Sequence, residues 1–371
     1  MDKLDKSIIE LMRSEHKFDG NLVNILGVSE SAYAIVRVRN PLHLGMLERN
    51  FDVTAIYPFI RSVGIKCALK DAIKLERMQE VEYVSAQSKV FALENENIPL
   101  DSRNLAYLLS LPTDLDGEGV TMCVMDTGVS PHSDLSIPRE RIVHFVDMIG
   151  GDSEPYDDNG HGTFVAGVAA GNGTLSGGKI RGVAPRANIV GIKVIGSNGE
   201  SGTFKILDGM QWLFDNFRQY GIRVVCMSFG AEPQSYADPL KIGVEMLARS
   251  GLTVVVASGN SGENALKSPA ISNEVIAVGA VDDENRLAPF TSRGIYQGAI
   301  RPDVFSDGVN VKGISAGGTY STMTGTSAAA PYVAGACCLL CQKYRNITPR
   351  QIKHAIINSS TNIDGNKIFR L

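Results

Sequence analysis

The 371-residue sequence contains no apolar run long enough to span a bilayer. Its opening stretch, MDKLDKSIIELMRSEHKFDG, scatters charge among short apolar pairs and lacks the continuous apolar core of a secretion signal. Positive charge is not in excess: 36 Lys and Arg stand against 40 Asp and Glu, for a net charge of -4. That balance argues against nucleic acid or an anionic membrane as the main partner. Cysteine is scarce too, with six in the chain, and the CCLLC run from Cys337 to Cys341 has no nearby histidine to complete a zinc set. Buried thiols are the expectation there. The Gly-rich stretch Gly171 to Gly178 lacks the GK[ST] ending of a phosphate loop and reads as a turn. These absences lead to the expectation of a soluble chain in the cytoplasm.

What is present falls into two regions. Between residues 31 and 93 short extended runs (AYAIVRVR, VTAIYPFI, VGIKCAL, VEYVS, KVFAL) surround one helical stretch, Asp71 to Gln79, with Asp71 as its cap. An antiparallel sheet with helices on one face is the natural packing. Ahead of it, Ile8, Ile9, Leu11 and Met12 have the spacing of an amphipathic helix. From about residue 94 the pattern changes to β-branched runs (VTMCVMD, ANIVGIKVI, IRVVCMS, LTVVVAS, EVIAVGAV) separated by helical segments. Near-continuous apolar strands alternating with helices predict an α/β fold with a parallel sheet covered on both faces. Ligands of such a sheet sit beyond the carboxyl ends of its strands, so the residues after each strand are the ones to inspect.

Asp126 follows VTMCVM, in MDTGV; His161 sits between glycines in NGHGTFVAG, ahead of an apolar helical pattern; Asn260 closes LTVVVASGN. Each has an ordinary alternative as a cap, a turn former or a satisfied core group. Ser327, in MTGTSAAAPYVAGAC, has one as well: a small residue at a crowded helix entrance, with Pro331 in a first turn whose N–H groups lack intrahelical partners. Together, however, Asp126, His161 and Ser327 supply an acid that orients an imidazole, an imidazole that removes a proton, and a hydroxyl that attacks a carbonyl. The Asn260 amide and the Ser327 N–H could hold the oxyanion.

The motifs MDTGV, NGHGTFVAG, ASGN and GTSAAAP, in this order, resemble those of the subtilisin-like serine proteases, whose triad runs Asp, His, Ser along the chain. IRGVAPRANIVGIKV, MSFG and VIAVGAVD extend the similarity across nearly all of residues 110 to 360. The resemblance implies a three-layer α/β catalytic domain over residues 94–371, preceded by a small α+β propeptide over residues 1–93. It implies a substrate groove edged by Ser201, Gly202 and Thr203 on one side and Ser228, Phe229 and Gly230 on the other, with Phe204 walling an apolar pocket. Laid against the end of the family's propeptides, VEYVSAQSKVFAL places a self-cleavage bond between Leu93 and Glu94.

There are departures. Ala328 stands where the family commonly has methionine, Tyr332 where it has histidine, and Ser306 to Gly308 read SDG in place of APG. No cofactor is expected for catalysis. Structural calcium finds no support in the sequence: Asp134 matches one ligand position, but the loop Asn172 to Gly178 differs from the family's calcium loops. The resulting expectation is a serine endopeptidase acting on peptides or proteins, with its own propeptide as intramolecular inhibitor. A pseudoprotease that keeps the fold for binding is the alternative, and an esterase is disfavoured because no GxSxG elbow surrounds Ser327.

Overall fold

A computed structural model describes residues 17–26, 28–94, 115–234 and 237–371. The helix expected around Ile8 to Met12 lies outside them.

In the N-terminal region, strands Val53–Tyr57, Ser62–Ala68, Ser31–Val38 and Val81–Ala86 lie side by side in that order, all antiparallel. The alternation along Ser31–Val38 has two uses. Ala32, Ala34, Val36 and Val38 join Leu22, Val23, Leu47, Ala72 and Leu75 in a core beneath the helices Gly20–Leu26, Leu44–Asn50 and Leu69–Arg77. Ile35, on the opposite face, packs with Tyr57, Phe59 and Ile60 against the larger domain. The helix expected from Asp71 starts two residues earlier. Asp71 occupies its third position, where its carboxylate accepts from the Ala68 N–H at 3.1 Å, so it serves an orphan donor from inside the first turn rather than from the cap.

The larger domain is built on nine strands in the spatial order Thr361–Ile363, Asn366–Ile368, Val304–Asp307, Ile276–Val281, Thr253–Ala257, Ile222–Met227, Thr121–Asp126, Asn188–Lys193 and Ile142–Asp147. Every pairing is parallel except that of the first two. The strands Thr121–Asp126 and Thr253–Ala257 are buried along their whole length, which is why they read as unbroken apolar runs. Helices His161–Ala170 and Thr326–Lys343 pack on one face with Met122, Val124, Val224 and Val255; Thr203–Asn216 and Pro239–Arg249 cover the other with Cys123, Met125, Val225 and Val254. After Thr121–Asp126 the chain fills one side of the sheet, and from Ile222–Met227 it fills the other. The reversal falls between the carboxyl ends of these two strands, where Asp126 and Ser228 emerge.

The two regions meet over the helices Thr203–Asn216 and Pro239–Arg249. Tyr57 Oη donates to the Phe204 carbonyl oxygen at 3.2 Å and to Asp208 Oδ1 at 3.1 Å. Gln234 Nε2 donates to the Ala86 carbonyl oxygen at 2.9 Å and to Ser88 Oγ at 2.8 Å. All six cysteines are buried free thiols, as expected for Cys337 and Cys341, and burial pushes these thiols up.

Candidate active site

Asp126 is the last residue of its strand and His161 the first of its helix. The two elements can meet because residue 162 is glycine: a Cβ there would lie 2.1 Å from the Gly128 carbonyl oxygen and 2.9 Å from Asp126 Cβ. The result is a bond of 2.6 Å between His161 Nδ1 and Asp126 Oδ1, both side chains fully buried. Burial alone would push the His161 imidazole down, but the Asp126 charge and hydrogen bond outweigh it and hold the ring above its ordinary value. His161 Nε2 is buried without a hydrogen-bond partner.

Ser327 is the second residue of Thr326–Lys343. Pro331 is not in the first turn, as the sequence suggested, but is the sixth residue, so its missing N–H leaves the Ser327 carbonyl without its i+4 donor. The Ser228 hydroxyl takes that place, donating to the Ser327 oxygen at 3.2 Å. Asn260 is oriented by the same helix entrance: its Oδ1 accepts from the Thr326 N–H at 3.0 Å and Oγ1 at 2.8 Å, and its Nδ2 is left buried without a partner. Around Gly325 three atoms converge: a Cβ built there would lie 2.7 Å from the Leu93 carbonyl oxygen, 3.1 Å from Asn260 Nδ2 and 3.2 Å from Ser327 Oγ. The Ser327 hydroxyl donates to that Leu93 oxygen.

Leu93 arrives there on the strand Lys89–Ala92, which lies between two segments of the large domain. Lys89 and Val90 pair antiparallel with Gly202 and Ser201, while Phe91 and Ala92 pair with Gly230 and Phe229. The Leu93 N–H donates to the Ser228 carbonyl at 3.1 Å, and the Thr203 N–H donates to the Ser88 carbonyl at 3.0 Å. Six of the seven groove residues named from the sequence thus touch the inserted strand or its flanks. The seventh, Phe204, shares an apolar cluster with Val90, but its ring packs edge-on to Tyr33 and Tyr57, at centroid distances of 5.9 and 6.4 Å. It is chiefly a contact to the N-terminal sheet.

Other residues drew no attention in the sequence. The buried Asp157 accepts from the Asn159 N–H (3.1 Å), the Gly160 N–H (2.8 Å), the Thr163 N–H (2.8 Å) and the hydroxyls of Thr127 (2.9 Å) and Thr163 (2.7 Å). Thr127 Oγ1 in turn accepts from the Gly162 N–H at 2.9 Å, tying the loop after Asp126 to the helix of His161. Lys193, fully buried, donates from Nζ to the Thr127 carbonyl at 2.5 Å and to Asp158 Oδ1 at 2.6 Å. An acid four residues before a glycine-flanked histidine was the available signal for Asp157. Nothing local marked Lys193. Among the departures, Ala328 is fully buried, and Met323 Sδ lies 3.9 Å from Ser327 Oγ. Tyr332 faces away from the nucleophile and accepts from the Leu371 N–H at 3.0 Å. Gly308, ending the SDG segment, accepts from the Gly325 N–H at 2.8 Å.

The residues around Asp134 do not fit a calcium ion. Both carboxylate oxygens already accept from donors, Oδ1 from the Leu175 N–H at 2.8 Å and Oδ2 from Tyr320 Oη at 2.7 Å. The Arg141 guanidinium, also buried, donates to the carbonyls of Asp134, Ala170 and Ala187. A hard cation needs an all-oxygen shell without cationic competitors. Among the described residues no cluster of His, Cys, Asp and Glu is arranged to hold a metal, and no helix is long and apolar enough to cross a membrane.

Comparison with known proteins agrees with this architecture. The model of the subtilase family matches residues 117–371. Serine protease AprX of Bacillus subtilis (strain 168) is 38% identical over 278 residues, covering 66% of this chain, though only 62% of the length of AprX. Subtilisin Savinase of Lederbergia lenta is 35% identical over 256 residues, 69% of this chain and 88% of that protein. Among solved structures, a cold adapted subtilisin-like serine proteinase superposes with a TM-score of 0.61 at 30% identity, covering 75% of this chain and 95% of its own. Fervidolysin from Fervidobacterium pennivorans, at 24% identity, shares the fold over 92% of this chain and 60% of its own, with a TM-score of 0.74. The chain therefore belongs to the subtilase family, that of the subtilisin-like serine endopeptidases.

Proposed function

We propose that this chain is a serine endopeptidase in which Asp126, His161 and Ser327 form the triad, Asn260 and the Ser327 N–H stabilise the oxyanion, and residues 1–93 are a propeptide cut by the chain itself at Leu93–Glu94. The observation that carries the reading is the seating of Leu93: its carbonyl oxygen meets the Ser327 hydroxyl and approaches, with Asn260 Nδ2, the same point above Gly325, and the preceding strand is hydrogen-bonded between two edges of the large domain. Substrate and groove then pair as strands, main chain giving affinity and alternate side chains giving selectivity.

For reaction, the Ser327 hydroxyl turns from the Leu93 oxygen to His161 Nε2, the ring nitrogen of His161 that has no partner. Nε2 removes the proton as Oγ bonds to the Leu93 carbonyl carbon, and Asp126 stabilises the imidazolium that results. Negative charge gathers on the former carbonyl oxygen, toward the free Asn260 Nδ2 donor and the Ser327 N–H, while the Thr326 and Ala328 N–H groups on either side are held by Asn260 Oδ1 and the Gly325 carbonyl. The imidazolium returns the proton to the Glu94 nitrogen as the C–N bond breaks, leaving a Leu93 ester on Ser327. Water, activated by the same imidazole, then releases the Leu93 carboxylate. Cleavage leaves the catalytic part with Glu94 as its first residue. The N-terminal sheet, still docked on the helices Thr203–Asn216 and Pro239–Arg249, holds the cut tail at high effective concentration and inhibits turnover until it is displaced.

Intact-mass measurement and terminal sequencing of wild type beside Ser327→Ala test this. We expect a new N-terminus within a few residues of Glu94 in wild type and an uncut chain in the variant. If both stay full length while wild type cleaves added peptides, the propeptide assignment is wrong. If wild type, freed of residues 1–93, neither cleaves apolar peptides nor reacts with a serine-directed phosphonate, the protease reading itself fails.

A further inference from the structure

The pocket that receives Leu93 has a charged residue in its wall. A Cβ placed on Gly230 would meet Lys267 Cβ at 2.8 Å, Leu93 Cδ1 at 3.2 Å and Lys267 Cγ at 3.3 Å. One placed on Gly259, directly before Asn260, would meet Lys267 Cγ at 2.6 Å. The methylene stem of Lys267 therefore spans the gap between two glycines of the groove, on the same side as the Leu93 side chain. Its position is fixed by backbone bonds: the Lys267 N–H donates to the Ser258 carbonyl at 3.1 Å, and Ser268 and Ala231 exchange hydrogen bonds of 2.9 and 3.0 Å. Leu93, Gly230, Glu232, Ser261 and Lys267 line one continuous cleft.

Resting on the protease reading, we propose that Lys267 is a specificity-determining residue: its ammonium admits glutamate beside leucine at the position before the scissile bond and rejects lysine and arginine there. The stem supplies an apolar wall, which suits Leu93, while the head carries a charge, in the manner of amphipathic lysines that bury carbons and keep nitrogen at a polar rim. Its ion-pair partner makes the charge available to a ligand. The Lys267 side chain is 13% exposed, but that of Glu232, to which it donates, is 80% exposed. An exposed carboxylate contributes weakly and is readily exchanged. A glutamate in the pocket can replace Glu232 on the ammonium within a more desolvated site. A lysine or arginine would instead bring a second cation to the first, a repulsion that strengthens as water is excluded.

Four peptides that differ only in the residue before the cut (Leu, Glu, Lys or Ala) test this by their kcat/KM values, read as the Glu:Lys ratio within each enzyme so that changes in overall rate cancel. In wild type we expect this ratio to be about 10 or more, in Lys267→Met near 1, and in Lys267→Glu inverted, a swing of about 100-fold. Glu232→Gln, which frees the ammonium, raises the Glu peptide by about threefold relative to Leu. A Glu:Lys ratio equal within about threefold in wild type and Lys267→Met overturns the proposal, whether or not Lys267→Glu folds. Failure of wild type, once freed of residues 1–93, both to cleave the Leu peptide and to react with a serine-directed phosphonate refutes the protease reading on which it rests, whereas cleavage of Leu without charge discrimination refutes this inference alone.

Discussion

Asp157→Asn probes whether His161 is held by a network beyond Asp126, because it keeps the shape of the side chain and removes only its charge and one acceptor oxygen. In the native site Oδ1 accepts three hydrogen bonds, from Thr127 Oγ1 and the N–H groups of Asn159 and Gly160, while Oδ2 accepts two, from the Thr163 N–H and Oγ1. The new amide best keeps its oxygen toward the three and turns its NH2 toward Thr163. The Thr163 hydroxyl can reverse its role, although it already accepts from the Ser130 N–H at 2.9 Å, but the Thr163 N–H cannot. One buried donor is thus stranded, at about 1–3 kcal/mol, and three charge-assisted bonds become neutral, so a total loss of about 2–4 kcal/mol follows. Since the same carboxylate holds the turn before His161 and the hydroxyl bonded to Gly162, small displacements of the imidazole should lower kcat by about 10- to 100-fold with KM nearly unchanged. Denaturant unfolding of Asp157→Asn in a Ser327→Ala background, free of self-digestion, gives the stability term; steady-state kinetics of the active variant give the other. A variant within about 0.5 kcal/mol of its parent and with unaltered kcat would refute the network argument.

Other outcomes follow from the same geometry. Removing the Asn260 side chain (Asn260→Ala) should reduce kcat by about 100- to 1000-fold with a smaller change in KM, a magnitude carried over from the equivalent donor of subtilisin itself rather than worked from these distances; a pure KM effect would contradict the oxyanion role. The raised imidazole makes the acid limb of kcat/KM fall through a midpoint above the usual 6.5, since only neutral His161 can take a proton. Stability runs the other way: the contribution of a raised pKa is full below the unfolded value of about 6.5 and is lost as pH rises through the folded one, so across that window activity rises while the His161 term in stability falls. A pH titration of kcat/KM beside unfolding of the Ser327→Ala protein would expose the opposite case. At Asp134, EDTA should leave hydrogen exchange of the loop Asn172 to Gly178 unchanged, whereas Tyr320→Phe, which strips a 2.7 Å bond from a buried carboxylate, should speed it; acceleration by EDTA would show a cation where none fits.

The sequence by itself determined the layer architecture and where on it the candidate site residues would stand. Fully apolar β-branched strands separated by helical segments have few ways to bury themselves other than as a covered parallel sheet, so the strand ends that carry Asp126 and Asn260, and the helix entrances that carry His161 and Ser327, were legible before any coordinates. The alternation in Ser31–Val38 likewise announced a half-buried sheet, although not that its second face, through Ile35, would be buried against another domain. Only the tertiary structure decided how residues far apart in the chain share one atom's needs. Pro331 looked like a first-turn proline, yet its missing donor is made good by Ser228, 99 residues before Ser327. Asp134 matched a single ligand position of the family's calcium sites, and only the structure shows that Leu175 and Tyr320 donate to its two oxygens. Lys267, absent from every motif, becomes a wall of the Leu93 pocket because two distant glycines open a channel for its stem. Periodicity records which face of an element is buried. It carries no record of which group from a remote element will supply a buried donor or acceptor, because that pairing is settled only when the layers close and water is expelled.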